Sequence, residues 1–413
     1  MQLEKSKIRS FVFYVLIIFC VFDGVRSNLI FSSLVSPLRE LFIIFFIALS
    51  FKFAKDCRRS DLILAVPFLL ISAMAIVNIP ITLSIELSDY KLGPLSIFEN
   101  KYSAVYKHVF FSIIFISMLC YQRNNEHVID KSLKLFVNCA AIYSLVTIPI
   151  YLYGFPLFVD NFRDWGRMGI GYPTMDGQMI CFAMIALIFS NTEKSFLYFN
   201  LKLACLLIGI LAQNTGTAMA SVSVIALLCL IKMPRKTIKY FMFGIPIIAV
   251  GLSYQYFRNP DFFANMLYIF VNKFSQLFGL SSGVNADFNT LAIRDFQYSR
   301  LDIILSTDPL VRLFGLGGQV YIENEFKLML AGYGVFAFAF FLLSFVWMSI
   351  YVLASKNRNK LILMSIIVLW GFSSYTLASI HLFTTSFSFC LVFSYFYVQG
   401  GRSRAHVEEA QGA

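Results

Sequence analysis

The sequence predicts an all-α integral membrane protein of about twelve transmembrane helices. Three observations carry this reading. Hydrophobic residues make up 58% of the 413, and charged residues only 14%. Apolar runs long enough to cross a hydrocarbon core of roughly 30 Å recur throughout. Lys and Arg gather in the short links between alternate runs, as they do on the cytoplasmic side of membranes.

In chain order the runs lie near Ile8 to Phe22, Leu29 to Phe53, Leu62 to Leu83, Val105 to Tyr121, Leu133 to Tyr153, Thr174 to Ser190, Phe196 to Ala212, Thr215 to Ile231, Ile238 to Phe257, Phe326 to Ala354, Leu361 to Ile380 and His381 to Val398. The first is marginal in length, and the last two almost adjoin, which predicts a tight hairpin. Between Phe257 and Phe326 stands a largely polar stretch. The chain therefore divides into spans over 1–257, a large loop over 258–325, further spans over 326–398 and a tail over 399–413.

Basic residues orient this map. Lys5, Lys7 and Arg9, then Lys52 to Arg59, Arg123 to Lys134, Lys194 and Lys202, Lys232 to Lys239, Lys356 to Lys360, and Arg402 with Arg404 fall on one side. Both termini are read as cytoplasmic and the large loop as extracytoplasmic. The net charge of +11 is then mostly topological and suited to anionic lipid headgroups, and it gives no argument for nucleic acid. After Phe22 the chain reads Asp-Gly-Val-Arg without a small-residue cleavage pattern, so the first run is expected to be retained. Most of the 8 cysteines lie in or beside apolar runs and no C-x-x-C pair occurs, so neither a disulfide framework nor a zinc motif is indicated.

Polar residues outside the runs are the candidates for chemistry. Arg163 and Arg167 flank Trp165 in the loop before Pro173; on a helix the two guanidiniums share a face, where they suit bidentate binding of phosphate. Their alternative is simple interfacial anchoring. In the large loop, Asp261 to Phe278 reads as a helix lying on the membrane surface. Thr290 to Leu305 reads as a second helix, with Thr290 as N-cap. It carries Arg294, Asp295, Arg300 and Asp302. Arg294 and Arg300 point about 120° apart, while Arg294 and Tyr298 share a face. The loop closes with glycines 315, 317 and 318, which lack the context of a nucleotide loop, then Glu323 and Glu325 where water meets the next run. A carboxylate there suits a general base or a helix cap.

These segments resemble the Wzy-type O-antigen polymerases and the related O-antigen ligases. The residues that carry the resemblance are Arg167-Met-Gly-Ile-Gly-Tyr-Pro, Gln213-Asn-Thr-Gly-Thr-Ala, Asp308-Pro-Leu followed by Phe314-Gly-Leu-Gly, and Glu323-Asn-Glu-Phe with Gly332 and Gly334. The ligase pattern has His-Asn where this chain has Glu323-Asn324, which is closer to a polymerase. The Arg-x10-Gly pattern of some polymerases is absent.

The resemblance implies a GT-C-like glycosyltransferase of the bacterial inner membrane, with its active site facing the periplasm. It would move a growing glycan from undecaprenyl diphosphate to the terminal sugar of a new undecaprenyl-diphosphate-linked repeat unit, inverting the anomeric carbon. Arginines would stabilise the diphosphate in place of a metal, so no cofactor and no metal are expected. Arg163, Arg167, Arg294 and Arg300 are the diphosphate candidates. Glu323 is the first choice of base, with Glu325 and Asp302 as alternatives and His381 and His108 behind them. Membrane lipids, a chain-length regulator and a flippase are the expected partners. The competing readings are a ligase acting on lipid A core and a non-enzymatic glycan-lipid flippase.

Overall fold

The computed structural model describes residues 2–26, 28–50, 57–84, 103–158, 169–190, 192–234 and 289–411, with single positions between 253 and 264. Among these the chain is helical: α1 Gln2–Arg26, α2 Ser32–Ser50, α3 Arg59–Val77, α4 Ile79–Ser84, α5 Ser103–Asn124, α6 Glu126–Tyr153, α7 Pro173–Phe189, α8 Phe196–Gln213, α9 Gly216–Lys232, α10 Asn289–Thr307, α11 Pro309–Phe314, α12 Glu325–Ala354, α13 Lys360–Thr376 and α14 Phe383–Gln411. Seven are long and apolar enough to cross a membrane, α3 and α4 together counting as one, and α7, α9 and α13 are shorter apolar helices. This is the make-up of a membrane protein. Every predicted run falls on one of these helices except Ile238 to Phe257, most of which lies outside the described residues.

Some expectations shift. The first run is not marginal, because its helix continues to Arg26 and offers 20 residues from Lys7. The third is interrupted at Asn78, whose side chain turns to the Phe314 carbonyl. α10 starts at Asn289, so Thr290 lies inside its first turn and is not the residue before it. Most of the Asp261 to Phe278 segment lies outside the described residues.

The chain forms two compact units. One takes Met1–Val15, Leu41–Lys131 and Asn285–Ala413. Its core is aromatic: Trp370 of α13 stacks between Phe111 of α5, at 5.5 Å, and Phe389 of α14, at 4.5 Å. Within it Asp61, fully buried in the first turn of α3, receives Arg123 through two hydrogen bonds of 2.7 and 2.5 Å. That is the bidentate arrangement a guanidinium needs to be held near lipid.

In the same unit α12 is broken at Gly334, whose φ of 81° and ψ of −174° only glycine adopts readily. At the break, the carbonyls of Ala331 and Gly332 accept from Leu316 N and Gly317 N at 2.7 and 2.9 Å. Thr82 Oγ1 of α4 accepts from Gly318 N at 2.8 Å. The approach is so close that a Cβ on Gly334 would strike the Leu313 carbonyl, and one on Gly315 would strike Gly332. Irregular backbone beside an apolar helix is tolerated because each strand of it satisfies the other.

The other unit takes Leu16–Glu40 and Ser132–Val284. Its centre is α7, buried from Met175 to Leu187 against α8 and α9. Asn214 in the left-handed region, with φ of 44°, ends α8, and Thr215 caps α9 by accepting from Ala218 N at 3.4 Å. Glu193, on the link before α8, is bonded by Lys202 of that helix and lies 3.6 Å from Lys134, which holds its carboxyl below the ordinary glutamate range.

Candidate functional site

The segment from Asp308 to Lys327 is built from turn chemistry. Asp308 caps α11, accepting from Leu310 N and Val311 N at 3.0 and 3.2 Å, with Pro309 where the helix has no use for an amide hydrogen. Asn324 caps α12, accepting from Lys327 N at 3.1 Å. The cap is therefore Asn324, and neither neighbouring glutamate is needed for it.

One apolar cluster holds the segment together. Leu301 and Ile304 of α10 pack with Val320, Ile322 and Leu328, all buried. Arg300 is the chain neighbour of Leu301 and Glu323 that of Ile322, and both are half-buried. Burying side chains such as Leu301 stabilises the docking of α10 by about 1.5–3 kcal/mol each. Arg300 and Glu323 thus each stand next in sequence to a member of this cluster.

The remaining predicted residues separate. Asp302 is 62% exposed and paired with Lys327 at 3.1 Å, on the outer side of α10, so its carboxylate already serves an ion pair. Lys327 also lies 5.4 Å over the ring of Tyr298. Arg294 lies on α10, but its side chain is outside the described residues, as are Arg163 and Arg167 altogether.

Glu325 has a different setting. It is fully buried, and its Oε1 faces His108 Nε2 and His381 Nδ1, each at 3.5 Å. The two imidazoles meet edge to face, ring centres 4.4 Å apart. Tyr333 Oη lies 3.2 Å from His108 Nδ1, and the Ile380 amide donates to Glu325 Oε2 at 2.9 Å. The three residues come from α5, α12 and the α13–α14 link. Each is separately visible in the sequence as a polar residue near the end of an apolar run, but nothing in their spacing groups them.

The sequence matches no protein-family model and no curated protein.

The second unit holds a buried polar set around Asp176, a residue the sequence reading did not single out. Asp176, in the first turn of α7, accepts from Tyr143 Oη at 2.6 Å and lies against Gly24 and Gly171. Gln213, fully buried at the end of α8, faces Gly169. Arg39 reaches Asp23 at 2.5 Å and also bonds Glu40, while Arg26 meets the same Asp23 oxygen at 3.0 Å. A lone Asp inside the run Thr174 to Ser190 was the available signal, since ionisable residues in apolar spans seldom lack a role.

Proposed function

We propose that this chain is a surface-polysaccharide polymerase of the bacterial inner membrane, acting on lipid-linked glycans at the periplasmic side. The observation that supports it best is the apolar cluster that packs Leu301 and Ile322, the chain neighbours of Arg300 and Glu323, before α12. An acid–base step needs its groups held on rigid supports, and α10 docked on α12 is such a support.

In this reading the hydroxyl of the acceptor sugar attacks the anomeric carbon of the donor glycan while Glu323 takes its proton. The bond from that carbon to the diphosphate oxygen breaks, and undecaprenyl diphosphate leaves with the electron pair. Arg300 binds the departing diphosphate, with Arg294 as the other basic candidate on α10. The diphosphate side needs no metal, because guanidinium donors supply the stabilisation. Glu323 is preferred over Glu325, which is fully buried with one oxygen bonded to the Ile380 amide, and over Asp302, which is paired with Lys327.

The surface-glycan profile of a deletion strain tests the proposal. A polymerase leaves cells bearing single repeat units. Unattached long chains would replace it with the ligase reading, and repeat units trapped on the cytoplasmic face with the flippase reading. The orientation is tested by labelling a Gly283→Cys variant, which should react without permeabilising the inner membrane.

A further inference from the structure

We infer that His108, Glu325 and His381 form a binding site for one divalent transition-metal ion of the zinc class, with His108 Nε2, His381 Nδ1 and Glu325 Oε1 as ligands. The inference does not rest on the polymerase reading.

The distances point to an ion. Oε1 lies 3.5 Å from each imidazole nitrogen, whereas a direct charge-assisted N–H···O bond spans about 2.7–2.9 Å. Ligand bonds of about 2.0–2.1 Å at tetrahedral angles place neighbouring ligand atoms roughly 3.3 Å apart. The two edges from Oε1 stand about 0.2 Å wider than that, and all three ligand atoms lie within 4.8 Å of one another.

Burial points the same way. All three side chains are at most 1% exposed. Oε1 of Glu325 receives no hydrogen bond, although its carboxylate is sealed from water. A buried carboxylate oxygen left so is costly, and a cation at 2 Å is a stronger partner than an imidazole at 3.5 Å.

The surrounding contacts are those that orient metal ligands. Tyr333 Oη sits at the far ring nitrogen of His108, so with Nε2 facing the ion, Nδ1–H donates to the phenol oxygen. The Ile380 amide holds the second oxygen of Glu325 and so fixes the plane of the carboxylate. Two imidazoles and one carboxylate suit zinc, iron(II) or cobalt(II), whereas magnesium and calcium favour oxygen ligands alone. Three protein ligands leave a fourth position for water. An ion here would tie α5, α12 and the α13–α14 link at one point.

The test uses the full-length chain, purified in detergent from cells grown with added zinc, and elemental analysis by mass spectrometry. The wild type should hold about one ion per chain, and Glu325→Gln and His381→Gln should lose it. Cobalt(II) added to wild type after chelation should give the visible absorption of a tetrahedral ion. Tyr333→Phe, which keeps all three ligands, should lower zinc affinity about 10–100-fold. Wild type that holds no stoichiometric metal and takes up no cobalt would overturn the site. So would an ion retained in both ligand variants. Metal content and polymer formation are read separately, so either proposal can fail without the other.

Discussion

Replacing Gly334 by alanine tests whether the break in α12 is a built joint. At φ of 81° and ψ of −174° a residue with a Cβ carries strain of about 1–3 kcal/mol. The new methyl also lands on the Leu313 carbonyl, which is backbone and has no rotamer to yield. Relief requires parting residues 313–317 from α12, which gives up the bonds from Leu316 N and Gly317 N, worth about 0.5–1.5 kcal/mol each. The expected loss is therefore about 2–6 kcal/mol. Gly332→Ala is the matched control, because its Cβ meets only the Gly317 oxygen at an ordinary 3.4 Å. Thermal unfolding of the detergent-purified protein, followed by fluorescence-detected size exclusion, should show Gly334→Ala melting several degrees below wild type. Gly332→Ala should stay close to it. If the two variants melt together near wild type, the joint is not what holds this region, and the account of α12 fails.

Arg300→Ala and Glu323→Gln should each express normally yet yield single-repeat glycan in gel ladders, with turnover down about 10²-fold or more; Arg300→Lys should recover little, since an ammonium cannot make two parallel bonds. A normal ladder in both would move attention to Arg163, Arg167 and Arg294. Asp61→Asn should cost about 3–5 kcal/mol by stranding Arg123, and a double replacement, Asp61→Leu with Arg123→Met, should restore most of the melting temperature; a double variant no better than the single would refute the pairing. The Glu193 carboxyl, held low by Lys202, stabilises the fold at pH values above its unfolded value of about 4.3 and ceases to as pH falls through its lower folded value. Lys202→Met should therefore flatten the fall in melting temperature between about pH 6 and pH 3, and an unchanged slope would exclude this linkage.

The helices were legible because a bilayer demands about twenty apolar residues in a row, and such runs survive without knowledge of any contact. The glycine joint was half legible. Gly315, Gly317, Gly332 and Gly334 stood out in the sequence, but that the first pair presses on the second depends on a meeting of two segments. The interruption at Asn78 was invisible for the same reason, since the partner of its side chain is the Phe314 carbonyl. Glu325, His108 and His381 were each noticed singly, and only packing of α5 against α14 and of α12 against α13 makes them one site. Asp302 stood behind Glu323 as an alternative base in the sequence, and its pairing with Lys327 could not be read there.

A helix that lends two carbonyls to the segment preceding it is not a self-sufficient membrane segment. Leu316 and Gly317 are synthesised before Ala331 and Gly332, so the donors leave the ribosome ahead of the acceptors they will meet. A chain divided between residues 318 and 325 would reverse that advantage: its C-terminal piece would enter lipid with bare peptide groups at the Gly334 break, each a penalty of several kcal/mol. Reassembly of two such halves should therefore favour co-expression over mixing after insertion, and reporter fusions meant to map this region belong before Asp308 or after Ala354.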